Sequence, residues 1–335
     1  MRMFDISKLR YKVTIQKPSG QKYYISNIIT SLVWSEPKGQ LASRVQASFT
    51  NIKFEGTWLA GLFDVRDRLF LYANTGNGDE EVFRGVIWDF DYKSSLQKEI
   101  TVAAYDNLIY FQESDDSLYY SAGKATSSIF GDICNRWGVK YRYSFLSITH
   151  PKLPLRGKLA DIFQTDLLDE VKAQKGKMYV MHSEKDIICV DYYGYNDKIF
   201  EMHAKKNVMG TNTSKTMGGM VTKVIITGKK DDNDREPIES TRSRNTDKYG
   251  TLQKIINRTE GTELSEAESE AEEILNENAE PKMTMSINDL VDIPYVKKGH
   301  TVKVAAGNLL GNFYVSGITH DCVAKTASVD LEEMR

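Results

Sequence analysis

His320 and Cys322 stand two residues apart in a strand-like run. Their side chains therefore share one face, and imidazole with thiolate is a pair that zinc accepts. A zinc site needs three or four ligands, and neither His300 nor Asp321 completes a known spacing. His320 is thus expected to be structural or merely exposed. The acidic pairs Asp115/Asp116 and Asp231/Asp232 have the residue types of acid–base catalysis, but they fall in turn-like polar sequence, where solvation gives no reason for raised carboxylate pKa values. Gly76 and Gly78 belong to the turn TGNGDE between two strands. A phosphate cradle instead needs a strand leading into a helix. No GxSxG, HExxH or Walker-type motif occurs. The expectation is a non-enzyme with no catalytic residue, no metal and no cofactor.

Charge gives the same answer. Eight glutamates lie between Glu263 and Glu280, a run that reads as a solvated helix face before a cation site. Lys229, Lys230, Arg235, Arg242 and Arg244 are interleaved with Asp231, Asp232, Asp234 and Glu236 and lack adjacent aromatics, so they form no stacking platform for single strands. Forty-four basic against forty-six acidic residues leave a net charge of −2. Direct nucleic-acid binding is not expected. Three distant cysteines, Cys134, Cys189 and Cys322, suggest reduced thiols and no disulfide framework. No window approaches the ~20 apolar residues of a membrane span, and no secretory leader is legible at Met1 to Asp5.

The elements that would position these residues divide 335 residues into three regions. Residues 1–112 read as five or more short alternating strands joined by turns, a barrel or sandwich. Residues 113–205 change character. Thr126 to Ser128 cap a helix carrying Ile129, Phe130, Ile133 and Trp137 and stopped by Gly138. A second helix follows from Leu159 to about Ala173, stopped by Gly176, and then a hairpin turning at 183–186. This is an α+β insert. Residues 206–335 hold a strand at 221–227, a polar loop at 228–250 too hydrophilic to pack, and a helix at 263–280 with a Ser265/Glu268 capping box. Eighteen tyrosines, with Tyr105, Tyr110, Tyr119 and Tyr120 crowding the first junction, suit subunit contacts; a sugar-binding platform is the rival reading.

The final forty residues repeat an arrangement met earlier. VFRGVIWD at 82–89 and YVSGITHD at 314–321 each follow a strand and a Gly/Asn turn, and each precedes a second strand, EITVAAYD at 99–106 or ASVDLEE at 327–333. Gly85 and Asp89 match Gly317 and Asp321 by spacing. Alternating residues 45–50 answer residues 283–288. One small β-unit is used twice.

AAYDNLIYF at 103–111, DLLDEVKAQKGKMYVMHSEKDIICVDYYG at 166–194, KYGTLQKI at 248–255 and GNFYVSGITHD at 311–321 resemble the XkdQ/YqbQ type of phage-tail protein. The resemblance implies a mainly β chain in which two tube-like β-barrel domains, 1–112 and 206–335, flank the smaller insert. It also implies the baseplate hub of a contractile phage, a PBSX-like defective prophage or a phage-tail-like bacteriocin. Such a hub would be a homotrimer that joins the six-fold tail tube above to the three-fold spike or tip below, beside other baseplate proteins including a LysM-type tail protein. It would be assembled in the host cytoplasm and carried in the virion tail. Rival readings are a tail-associated peptidoglycan hydrolase and a carbohydrate-binding module.

Overall fold

The computed structural model describes residues 6–54, 56–93, 98–230, 235–258 and 261–334; Asp231 and Asp232 lie outside them. The chain forms two compact units, residues 1–211 with 286–335, and residues 212–285. The boundaries expected at 112 and 205 fall inside the first unit.

Thirteen strands form one sheet. In chain order they are β1 Arg10–Gln16, β2 Lys22–Tyr24, β3 Ile29–Glu36, β4 Arg44–Thr50, β5 Arg68–Asn74, β6 Asp79–Lys93, β7 Glu99–Tyr105, β8 Phe200–His203, β9 Val208–Thr216, β10 Lys282–Val291, β11 Thr301–Ala306, β12 Leu309–Asp321 and β13 Thr326–Glu333. Alternating apolar residues make the strands, and their inward faces make the core. Val13 and Ile15, Val45, Ala47 and Phe49, Leu69 and Leu71, and Ile100, Val102 and Ala104 are all buried in one cluster.

Spatial order makes the duplication plain. The first half runs β3-β4-β7-β6-β5-β1, and the second runs β9-β10-β13-β12-β11-β8. Each has a long strand changing partners midway. β6 pairs with β5 up to Val86 and with β7 from there, bulging after Ile87. β12 pairs with β11 up to Tyr314 and with β13 from Phe313, bulging after Val315. Even the tight turns before β5 and β11 agree. Arg66 donates to the Ile87 carbonyl and Ile87 to that of Asp67, each at 2.8 Å; Gly299 donates to the Val315 carbonyl and Val315 to that of His300, again at 2.8 Å. Arg66 and Gly299 both take left-handed backbone, φ 70° and 85°. Two departures from the sequence reading follow. Counted from the bulges, Asp89 corresponds to Gly317, a register four residues from the spacing match. The halves also share one sheet instead of closing as separate barrels, because Val33–Glu36 of β3 pairs antiparallel with Ile318–Asp321 of β12.

The insert has its own core of Ile129, Phe130, Ile133, Phe163, Leu167 and Val171. Gly138 and Gly176 take the expected left-handed stops at φ 65°. The hairpin turns at Lys185 and Asp186, φ 49° and 67°. Asp115 and Asp116, expected in a turn, open the strand Asp115–Tyr120, which pairs with Leu153–Lys158. Thr126 is the first residue of the helix Thr126–Arg136. It is buried and its hydroxyl meets His150 Nε2 at 2.8 Å, so it gives no side-chain cap.

In the second unit, Lys223–Thr227 pairs antiparallel with Ile238–Ser243 and parallel with Gln253–Asn257. The helix Leu264–Asn278 covers this sheet through Ala267, Ala271 and Leu275 against Val224 and Ile226. Part of the stretch expected as a polar loop is therefore regular: Ile238–Ser243 is a strand because its backbone pairs and its charges find partners. Glu263, with no side-chain bond, caps the helix, so the Ser265/Glu268 box does not form. Glu268 instead meets Arg242 at 2.8 Å and Ser240 at 2.7 Å, and Glu272 meets Arg244 at 3.1 Å. The acidic face is partly neutralised by the loop's own arginines.

Candidate functional site

The junction where the duplicated halves meet holds the polar groups that the sequence singled out. β12 brings His320 to the join, where it pairs across strands with Trp34 of β3. The rings stack 4.3 Å apart, tilted by 12°. His320 Nδ1 lies 2.6 Å from Asp292 Oδ1, and the second carboxylate oxygen accepts from the Tyr11 hydroxyl at 2.6 Å. Tyr11 belongs to β1 in the first half and Asp292 follows β10 in the second, so this chain of bonds ties the halves together. His320 and Asp292 are wholly buried, where each would be costly without the other. Burial and the neighbouring Asp292 carboxylate raise the Tyr11 phenol pKa, and burial likewise raises the Cys322 thiol. Both stay protonated at neutral pH. His320 is thus structural, and Cys322 packs in the core of the first half.

A second set of buried polar contacts lies at the same join. Glu36, the last residue of β3, accepts the Lys298 backbone N–H at 2.7 Å, and Lys298 Nζ donates to the Gln40 carbonyl at 2.7 Å. Burial depresses the Lys298 pKa. Asp106 accepts backbone N–H groups from Ser43 at 3.2 Å and Leu108 at 3.0 Å, and burial pushes its carboxyl up to about 7. The glycines fit close approaches of chain. A Cβ on Gly85 would run into the Tyr105 carbonyl, and one on Gly317 would come 2.8 Å from the Lys38 nitrogen. Asp89 is exposed, whereas Asp321 accepts N–H groups of Val323 and Ala324 in the turn after β12.

One further constellation escaped the sequence reading. Ligand atoms of His182, Cys189 and Asp191 lie within 4.8 Å of one another. The hairpin register creates the group by placing His182 opposite Cys189, information that spacing alone does not carry. His182 Nε2 lies 2.9 Å from Asp191 Oδ2, and Arg142 donates to that oxygen at 2.9 Å and to Glu184 at 3.0 Å. These partners hold the Asp191 carboxyl at about 2, while burial pushes the Cys189 thiol to about 11 and His300 nearby down to about 3. The guanidinium already on the Asp191 carboxylate suits a hydrogen-bonded layer. Asp116 is likewise engaged, accepting the Trp137 indole N–H at 3.0 Å.

The buried contacts of Tyr11, Asp292 and His320 join the two halves of the sheet. The family model described as YQBQ-like matches residues 73–333. Phage-like element PBSX protein XkdQ of Bacillus subtilis (strain 168) is 22% identical over 233 residues, 68% of this chain and 69% of its own. The prophage MuSo2 43 kDa tail protein from Shewanella oneidensis superposes with a TM-score of 0.68 at 12% identity, covering 97% of this chain and 98% of that one. The E. coli c3393 protein, a type VI secretion component described as similar to T4 bacteriophage tail proteins gp27 and gp5, gives 0.53 at 13% identity over 98% and 77%.

Proposed function

The chain belongs to the YQBQ-like family, and from that membership we propose that it is the structural hub of a contractile baseplate, a homotrimer adapting a six-fold tail tube to a three-fold spike. Homologues and structural neighbours point to the coarser class, a phage-tail or baseplate-type protein. What carries the finer reading is the duplication. Three chains, each presenting two β-units with the same strand order and the same turn hydrogen bonds, offer six similar surfaces to a tube ring and three identical ones to a spike. The role is geometric and needs no catalytic residue. Other baseplate proteins, a LysM-type tail protein among them, would bind its outer surface, and the assembled particle is its location.

Reconstruction of the assembled particle tests this directly. Three copies on the axis between tube and spike are expected; six copies, or a position away from the axis, would overturn the reading. Digestion of peptidoglycan by the purified chain, abolished by changing one named acid, would favour the enzyme alternative.

A further inference from the structure

The small sheet of the insert has two unlike faces. Its strands are Lys140–Tyr143, Ile187–Tyr192 and Tyr179–Glu184, with Ile187–Tyr192 in the middle. Met181, Ile188 and Val190 point into the insert's core, and the residues alternating with them point the other way. The register sets His182 opposite Cys189 on one side and Arg142 opposite Cys189 on the other, while Asp191 lies two residues further along the same face. That face therefore gathers an imidazole, a thiol and a carboxylate. Among the described residues, these three form the one group of histidine, cysteine and carboxylate side chains whose ligand atoms converge, all within 4.8 Å of one another. Tetrahedral zinc, with bonds of about 2.0–2.3 Å, holds its ligand atoms about 3.3–3.8 Å apart, so the ion asks for shifts on the order of 1 Å. Thiolate and imidazole together select zinc over the hard cations calcium and magnesium.

Two outer features fit such an ion. The first is charge. The charged side chains around Cys189 are Arg142, Asp191 and Glu184, so with Cys189 as a thiolate a divalent ion and Arg142 together balance the three negative groups. Arg142 donates to Asp191 at 2.9 Å and to Glu184 at 3.0 Å, which makes it the outer partner that orients a ligating carboxylate. The second feature is a hydroxyl. Tyr195 stacks on His182 with ring centroids 4.7 Å apart and a tilt of 16°. Its buried hydroxyl has no hydrogen-bond partner among the described residues, an arrangement that is costly unless a further group completes it. A water on the ion's fourth position supplies that group.

We propose that His182, Cys189 and Asp191 bind one zinc ion, with water as the fourth ligand and the Tyr195 hydroxyl bonded to that water. On binding, the Cys189 thiol releases its proton to solvent and the sulfur–zinc bond forms. The ion ties the two strands of the hairpin together and fixes Tyr195. The Tyr195 ring also meets His300, at 4.7 Å, and the neighbouring Gly194 donates to the Gly299 carbonyl at 2.6 Å in the turn before β11. The site is therefore a fastening between the insert and the second half of the large sheet, and it does not depend on the trimer.

The full chain, stripped with a chelator that is then dialysed away, tests this. Titrated with Zn²⁺ alone in a calorimeter, it is expected to take up one ion per chain. With Co²⁺ alone it should develop the near-ultraviolet absorption of a cobalt–thiolate bond. Cys189→Ser should abolish that absorption, and Cys189→Ser, His182→Gln and Asp191→Asn should each weaken Zn²⁺ by more than about 100-fold, whereas Tyr195→Phe, which touches only the bound water, should keep one ion and weaken it about 10-fold. Absence of uptake, or of the cobalt–thiolate absorption, would overturn the proposal. So would uptake that survives Cys189→Ser and His182→Gln unchanged, which marks an adventitious ion only. Should a variant fold poorly, alkylation of the wild type decides: Zn²⁺ must slow labelling of Cys189 more than that of Cys134, and equal slowing refutes the site.

Discussion

The two β-halves share a strand order, although β1 runs antiparallel to β5 and β8 parallel to β11, and they differ in what they do with one strand edge. In the second half the far part of β12 is covered by β3, and the covered surface carries His320, stacked on Trp34 and bonded to Asp292. In the first half no described strand pairs with that side of the corresponding part of β6, which carries Tyr92, partly exposed. The same difference marks the turns. The second half uses Gly299 where the first puts Arg66, at nearly the same left-handed φ. A similar unit can thus keep its hydrogen-bond plan while one copy is specialised for contact inside the chain.

Breaking the covered edge should have the largest effect. Trp34→Ala empties a wholly buried site at the join and is expected to cost about 3–5 kcal/mol, measured by denaturant unfolding; a loss below about 1 kcal/mol would mean that the join does not hold the halves together. Next comes Asp292→Ala, which strands buried His320 and the hydroxyl of half-buried Tyr11, for about 2–4 kcal/mol. Tyr11→Phe removes only one of those bonds and should cost about 1 kcal/mol. If the two variants lose equal stability, the network is not shared as described. The turns sharpen the contrast further. Gly299→Ala puts a Cβ 2.7–3.0 Å from the Val180 side chain at a positive φ, for about 2 kcal/mol. Arg66→Gly should stay within about 1 kcal/mol of wild type, and an equal loss at both turns would contradict their different surroundings.

A further contrast is a pH dependence. Asp106 has its folded pKa raised by burial from 3.8 to about 7. Between those values the folded chain holds a proton that the unfolded chain has released. Its contribution is therefore complete below about pH 4 and is lost as pH rises through about 7. Asp106→Asn should flatten this part of the stability profile while costing about 1 kcal/mol for one weakened backbone contact. An unchanged slope would place the titration elsewhere.

Much of this architecture was legible from residue order. Alternating apolar residues located most strands, Gly138 and Gly176 marked helix ends, and the like sequences at 82–89 and 314–321 pointed to two corresponding strands but in the wrong register. Their register slipped by four residues because Gly and Asp recur at the same spacing in both strands for unrelated reasons. Gly85 makes room for the Tyr105 carbonyl, Gly317 for the chain at Lys38, and Asp321 closes a turn. Bulges, which fix the true register, have no residue signature here. The loop at 228–250 looked too polar to pack because its arginines were read without the helix glutamates that receive them. The His182, Cys189 and Asp191 group was invisible until a hairpin set strand against strand.

Local patterning by itself determined which segments become strands and helices, and that one unit occurs twice, since alternation, glycine stops and repeated order act over a few residues. Tertiary structure alone decided that the two β-halves share a sheet and that His320 is buried against Trp34. Those outcomes depend on which strand lies beside which, and residues far apart in the chain meet only when the whole sheet has formed.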